Sequence, residues 1–411
     1  MNNSLSFNRT ISSSKSVTHS LNIYSIYVLV LAFFPVSTLL QGAVSAINKI
    51  LIVILAFIML AIIASNKMSK WYWVLLLFTG GSFVISFVNT GTLNLINSNL
   101  PFYFIFWMTN IIIFCNCSSH IIREMVCYKK ILLLYVLVWS ALVLISLFFS
   151  SSYSYSAGVR AFASFTGETF RFCTSVFGIL GLVFPLMKIF GRKSFFLCVV
   201  PLITLFMCGS RTYFAIGLLL VVIQYYFFCK SKKAFWLSII PVAIVVVLLA
   251  TNSIIGERFA YSNQEGYFGF LYTFTSGRST FWVTDLNAFR NASFFNRLFG
   301  LGFNASYEIN ILAKNGSIWS HNDFIESLLC GGYVQLALYL ISYFLLCKHL
   351  LAGSNKFIFA LMLFILIFDA FFNMFYTYFA TNIGFLLTAL FLNKSKIKKT
   401  LLSFERKEDL L

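Results

Sequence analysis

Four of the 411 residues are histidines, and one of them sits in a short polar string, Ser320-His321-Asn322-Asp323, just ahead of a long apolar stretch. Imidazole exchanges a proton near neutral pH without special help, so His321 is a candidate acid or base. Ser320 and Asp323 have the spacing of a capping box, which predicts His321 in the first turn of the helix that follows. The positive end of that helix favours neutral imidazole while Asp323 opposes it, which leaves the sign of any shift open. A histidine at the mouth of a span also serves as a plain interface residue. Arginine supplies the second kind of chemistry. Arg211, in Gly209-Ser210-Arg211-Thr212, stands in a tight turn between two apolar stretches, and Arg278 precedes an aromatic segment. Guanidinium groups hold phosphate or carboxylate oxygens in two-point geometry. A base beside such groups suits transfer from a phosphate or pyrophosphate to a hydroxyl: the arginines steady the leaving phosphate, and the imidazole takes the acceptor's proton.

The elements that must carry these residues follow from composition. The chain is 60% hydrophobic and 10% charged, against about 45 to 50% and about 25% in soluble proteins. A water-soluble globule is excluded. A bilayer core of about 30 Å takes about 20 residues of helix, and twelve apolar stretches are long enough to serve. They fall near 22–40, 48–65, 71–89, 100–117, 131–150, 172–190, 194–209, 213–229, 234–251, 324–347, 357–374 and 376–393. The apolar run from Phe357 to Leu392 is too long for one crossing and is expected to break near Asn373 to Tyr376. The expected fold is thus an all-α polytopic membrane protein, residues 1–411 forming one transmembrane domain.

The net charge of +18 would suggest nucleic acid in a soluble protein. Its placement points elsewhere. Lys and Arg are retained on the cytoplasmic side, and with both termini inside, 21 cations against 4 acids leave +17 within, while 9 against 8 leave +1 outside. The charge is a topology signal, and no nucleic-acid partner is expected. Residue type differs too: 17 of the 21 inner cations are Lys, whereas seven of the nine outer ones are Arg. Outer arginines can pair with outer acids or headgroups; as a set they suit an anionic ligand. Met1 to Ser20 is polar, so the first span reads as an uncleaved anchor. No Walker-type or dinucleotide glycine motif occurs, and the nine cysteines have neither zinc spacing nor a disulfide framework, so no cofactor and no metal are expected.

Two outer loops stand out, a smaller one at 151–171 and a large one at 252–320; a basic tail, 394–411, closes the chain inside. In the large loop Trp282, Leu286 and Phe289 have helical spacing with Asp285 and Asn287 off that face, which predicts an amphipathic helix over 280–289 at the interface. Outer aromatics, Tyr261, Tyr272, Tyr307 and Trp319, can pack on sugar rings or anchor the interface. Asp369, near an outer helix end, is a functional candidate or a partner for Lys49.

These motifs, in order, resemble a known family. Ser210-Arg211-Thr212 opens a span; Gly277-Arg278 is followed by Trp282; Phe299-Gly300-Leu301-Gly302 comes next; His321-Asn322-Asp323 is followed by Gly331-Gly332. The pattern resembles the bacterial O-antigen polymerase and ligase superfamily, Wzy-type and WaaL-type. Arg160, with Phe165-Thr166-Gly167 and Arg171, looks like the family's earlier basic loop. The likeness runs from about 160 to 393. It implies a glycosyltransferase C-like membrane fold and a metal-independent, inverting polymerase of the inner membrane, acting at the periplasmic face. Donor and acceptor would be undecaprenyl-pyrophosphate-linked oligosaccharide repeat units, in contact with membrane lipids and with room for a chain-length regulator. By this resemblance His321 activates the acceptor, Arg211 and Arg278 bind pyrophosphate with Arg160 and Arg171 as further candidates, and Asn322 and Asp323 support. The pairing of Arg with Gly eleven residues on, known in some polymerases, is not met by Arg160, Arg278 or Arg290. A ligase, which would hand lipid-linked glycan to lipid A-core, is the nearest alternative. A flippase or transporter is a second, but these spans hold almost no mid-membrane charge.

Overall fold

The structure, a computed structural model, describes residues 21–44, 46–90, 100–156, 159–239, 275, 277–316, 318–393 and 395–400. Most of the expected ninth span, the first part of the large loop with Arg258, Tyr261 and Tyr272, and the tail beyond 400 lie outside the described residues. The helices are α1 (Ile23–Leu40), α2 (Ile47–Ser65), α3 (Lys70–Thr90), α4 (Leu100–Asn116), α5 (Ser118–Cys127), α6 (Lys129–Ser146), α7 (Thr169–Phe190), α8 (Val199–Met207), α9 (Arg211–Phe228), α10 (Arg278–Asn291), α11 (Phe294–Phe299), α12 (Ala305–Leu312), α13 (Asp323–His349), α14 (Lys356–Asn373) and α15 (Phe379–Leu392). A single antiparallel hairpin, β1 (Tyr153–Ser156) with β2 (Val159–Phe162), is the sheet among the described residues.

The protein is a polytopic all-α membrane protein. Among the described residues eight helices are long and apolar enough to cross a bilayer (α1, α2, α3, α6, α7, α9, α13 and α14), and α4 with α5, bent by 85°, makes a ninth if counted as one. The expected twelve are not all found as long helices among the described residues. The seventh stretch holds a 3-10 turn over 192–198 and then α8, only nine residues long. Pro201 accounts for this: it is tolerated in a first turn, but its ring would clash with the carbonyl four residues back had the α-helix begun earlier. The last stretch is a 14-residue helix, because the 357–392 run breaks at Met374 to Tyr378, where Met374 takes a left-handed φ of 65°.

Small residues set the centre. In α7 Gly178 and Gly181 lie where a Cβ would strike Pro35 of α1 and the backbone of Gly384 in α15, so three backbones approach closely, as small residues allow within membranes. Ser175 donates to the Pro35 carbonyl at 2.5 Å and Thr388 to the Gly181 carbonyl at 3.2 Å. Buried tryptophans find hydroxyl partners: Trp107 donates to Ser342 and Trp139 to Ser175, both at 2.8 Å.

The helix ends sort into two groups. At one end Asn22 and Ser25 donate to the buried Glu124 of α5 at 3.1 and 2.8 Å, Tyr24 meets Asn66, and Asn393 donates to the His349 carbonyl. At the other end gather the close of α3, the starts of α7, α9, α13 and α15, the close of α14 and the segment 277–322. That segment is docked through bare backbone. α13 is broken at Gly331 and Gly332, the latter at φ 66°, and a Cβ on Gly300 or Gly332 would run into the facing main chain. Glycine is required at such a left-handed, close-packed position. Leu301 N–H donates to the Leu329 carbonyl at 2.7 Å, and Asn89 of α3 to the Gly300 carbonyl at 2.9 Å.

Candidate active site

Phe170, in the first turn of α7, joins the parts. Its ring stands edge-on to Tyr213 of α9 at 5.2 Å, to Tyr378 just before α15 at 4.7 Å and to His321 at 6.4 Å. Arg278 opens α10 after Gly277, itself left-handed at φ 82°. Its guanidinium donates to the Phe372 carbonyl at the close of α14. Its charge interacts with Tyr378, Arg211, Tyr213 and Asp369. Four helices, α7, α9, α10 and α15, therefore begin around one spot; α7, α9 and α15 have no side-chain cap, and in α10 Thr275 Oγ1 accepts from Ser279 N–H at 3.0 Å. Each start carries partial positive charge, and with Arg211 and Arg278 they make a site that favours an anion.

His321 differs from expectation in its backbone. It lies outside the helix, at φ 49°, and not in the first turn. Asn322 is the cap: its Oδ1 accepts from the N–H groups of Phe324 and Ile325 at 3.0 and 3.1 Å. Ser320 does not cap, because its hydroxyl is taken by Asp285 Oδ2 at 2.6 Å, while its carbonyl accepts from Trp282 Nε1 at 2.7 Å. These bonds clamp the chain on both sides of His321. Its Nδ1 is buried and has no hydrogen-bond partner among the described residues. Burial pushes the imidazole down to about 3, and the charge of Arg278 acts in the same direction, so it is neutral at neutral pH. Burial also lowers Arg278, to about 10, with Arg211 adding to the effect; Arg278 remains a cation at neutral pH.

The other expected residues divide. Arg211 joins the group. Arg171 is 43% exposed and paired with Glu168 at 3.0 Å, while its charge reaches Tyr378. Arg160 is not brought to His321: it is exposed on β2, with its guanidinium 4.9 Å from the Tyr153 ring centroid. Tyr153 is its diagonal neighbour across the hairpin, with Tyr155 directly opposite, and holds it there. Asp323 is fully buried, and its Oδ2 accepts from the Tyr339 hydroxyl and from Tyr376 N–H at 3.1 Å, fastening the α14–α15 break to the start of α13. It positions the site from behind. Asp369 is buried and accepts from Asn373 at 2.7 Å; it makes no ion pair with the exposed Lys49, and its charge bears on Arg278. Phe170, Tyr213 and Tyr378 were not expected, since each lies at the edge of an apolar stretch that reads as membrane.

Behind the site is a second polar cluster. Asp285 of α10 is fully buried beside Phe289, while Leu286 is 44% exposed, so the covered face of α10 is not the one that apolar spacing predicts. The helix runs over 278–291, wider than 280–289. Asp285 accepts from Ser320 and from Asn310 at 3.0 Å; Glu326 accepts from Ser306 at 2.7 Å and from Cys330 at 3.4 Å. Burial raises Asp285 to about 7 despite these donors. Away from both clusters, an apolar cavity of about 590 Å³ lies between α3 and α13, bounded by Trp71, Phe78, Val334 and Phe344, and a second of about 310 Å³ continues it to Phe299. No protein-family model and no curated protein sequence matches the chain.

Proposed function

We propose that the chain is an O-antigen polymerase of the bacterial inner membrane, a metal-independent, inverting glycosyltransferase. It moves glycan from undecaprenyl pyrophosphate to the sugar of another lipid-linked repeat unit at the periplasmic face. The observation that carries this is the meeting of four helix starts, three of them without a side-chain cap, with Arg211 and Arg278 around a neutral His321 whose Nδ1 lacks a partner among the described residues. Pyrophosphate lies against the arginines and helix starts. The acceptor hydroxyl attacks the anomeric carbon from the face opposite the phosphate and gives its proton to His321; the carbon–oxygen bond to phosphate breaks and the electron pair leaves with undecaprenyl pyrophosphate. Charge building on that leaving group is what the arginines stabilise. The bound pyrophosphate also offsets Arg278, so His321 becomes a better base once the donor is in place.

The twelve-span topology with both termini inside belongs to the same proposal, supported by the +17 and +1 split of charge. The cavity between α3 and α13 suits the polyisoprenoid tail of a lipid-linked substrate. Deleting the gene tests the reaction. Lipopolysaccharide capped with a single repeat unit is the result expected of a polymerase; core without any O-antigen and accumulation of lipid-linked polymer would assign a ligase, and normal banding would remove both.

A further inference from the structure

We propose that Tyr307 and Trp319 form a glycan subsite beside His321, where the acceptor sugar packs; the proposal rests on the polymerase reading and adds to it a place for the neutral part of the substrate. Their rings lie 5.1 Å apart at 38° to one another, and both side chains keep partial exposure. Trp319 stands two residues before His321, across Ser320, whose carbonyl and hydroxyl are both held. Tyr307 is fixed equally well: its neighbour Ser306 donates to Glu326, and Asn310, one turn on, donates to Asp285. The platform and the imidazole therefore share one rigid support.

The indole N–H supplies the second observation. Trp107, Trp139 and Trp282 each donate to an oxygen at 2.7 to 2.8 Å. Trp319 Nε1 is equally buried, yet among the described residues it has no acceptor. A buried indole N–H ordinarily finds one. A sugar laid on the ring pair meets apolar C–H groups with its face, and a small turn of the indole brings its buried N–H to a ring hydroxyl. Such a pair takes an uncharged glycan and leaves phosphate to the arginines.

The full-length protein in nanodiscs decides the matter, using neutral oligosaccharide released by mild acid from the host's lipid-linked glycans as one probe and inorganic pyrophosphate as the other. Saturation-transfer NMR should detect glycan binding to the wild type. Trp319→Ala and Tyr307→Ala should each weaken it by about tenfold, and Trp319→Phe, which keeps a ring but loses the donor, by about threefold. All three should bind pyrophosphate as the wild type does, while Arg278→Ala should lose pyrophosphate and keep glycan. Equal glycan binding by the wild type and all three aromatic variants, or none by the wild type while pyrophosphate still binds, overturns the subsite and leaves the anion site standing. Pyrophosphate bound no better by the wild type than by Arg278→Ala overturns the polymerase reading together with the proposal built on it.

Discussion

Two clusters of buried polar residues share the end of the bundle where α13 begins, and they are built on opposite plans. Around Asp285 and Glu326 all four carboxylate oxygens accept from the chain itself, through Asn310, Ser320, Ser306 and Cys330. Around His321 donors crowd instead: two guanidiniums, the phenols of Tyr213 and Tyr378 and four helix starts, with Asp369 as the acid, one oxygen of it already taken by Asn373. A closed network holds shape. A donor-rich one is completed by acceptor oxygens arriving from outside. Buried polar residues thus close on one another in one place and present donors a few residues away, and the difference lies in who supplies the acceptors.

Substitutions can break this contrast or sharpen it. The largest effect is expected in the open cluster: His321→Ala should lower turnover of purified lipid-linked repeat units by about 10²- to 10⁴-fold at unchanged thermal midpoint, and Arg278→Ala by about 10²- to 10³-fold, with a somewhat lower midpoint because the Phe372 carbonyl loses its donor. Normal chain-length distributions from both variants at normal expression would show that the open cluster is not where the reaction occurs. In the closed cluster the loss should fall on stability. Glu326→Ala strands the hydroxyl of Ser306 at a cost of about 1 to 3 kcal/mol, read as a lower midpoint, with activity per folded molecule near that of the wild type. The smallest effect concerns pH. The carboxyl of Asp285, raised by burial to about 7 from the ordinary 3.8, contributes stability that is full below the unfolded value and is lost as the pH rises through the folded one. Asp285→Asn lacks this dependence, so the gap between the two midpoints should change steadily from about pH 4 to 7 and stay constant above; parallel curves would mean that Asp285 is ionised throughout.

Much of this was legible in the chain. Arg211, Arg278 and His321 announce themselves because polar residues at the ends of apolar stretches are few. The break after Asn373 is legible from length alone. Asp285 was misplaced, since its partners Asn310 and Ser320 lie 25 and 35 residues on, and no periodicity within α10 reports a bond over that distance. Tyr378 and Phe170 were hidden for a different reason: an aromatic at the edge of an apolar run looks the same whether it meets lipid or lines a site. Arg160 misled because residue type was right and strand register, which turns it over Tyr153, is invisible in a four-residue strand.

The joint between segment 277–322 and α13 has a consequence for how this protein can change over time. Gly300 and Gly332 meet their neighbours main chain to main chain, so the joint is specified by missing side chains and not by matching ones. Hydrophobic identities around it can drift, and the segment itself can be recast, while two glycines keep it seated over the same arginines. Divergence in such a protein is free to run far in sequence before that seat is lost.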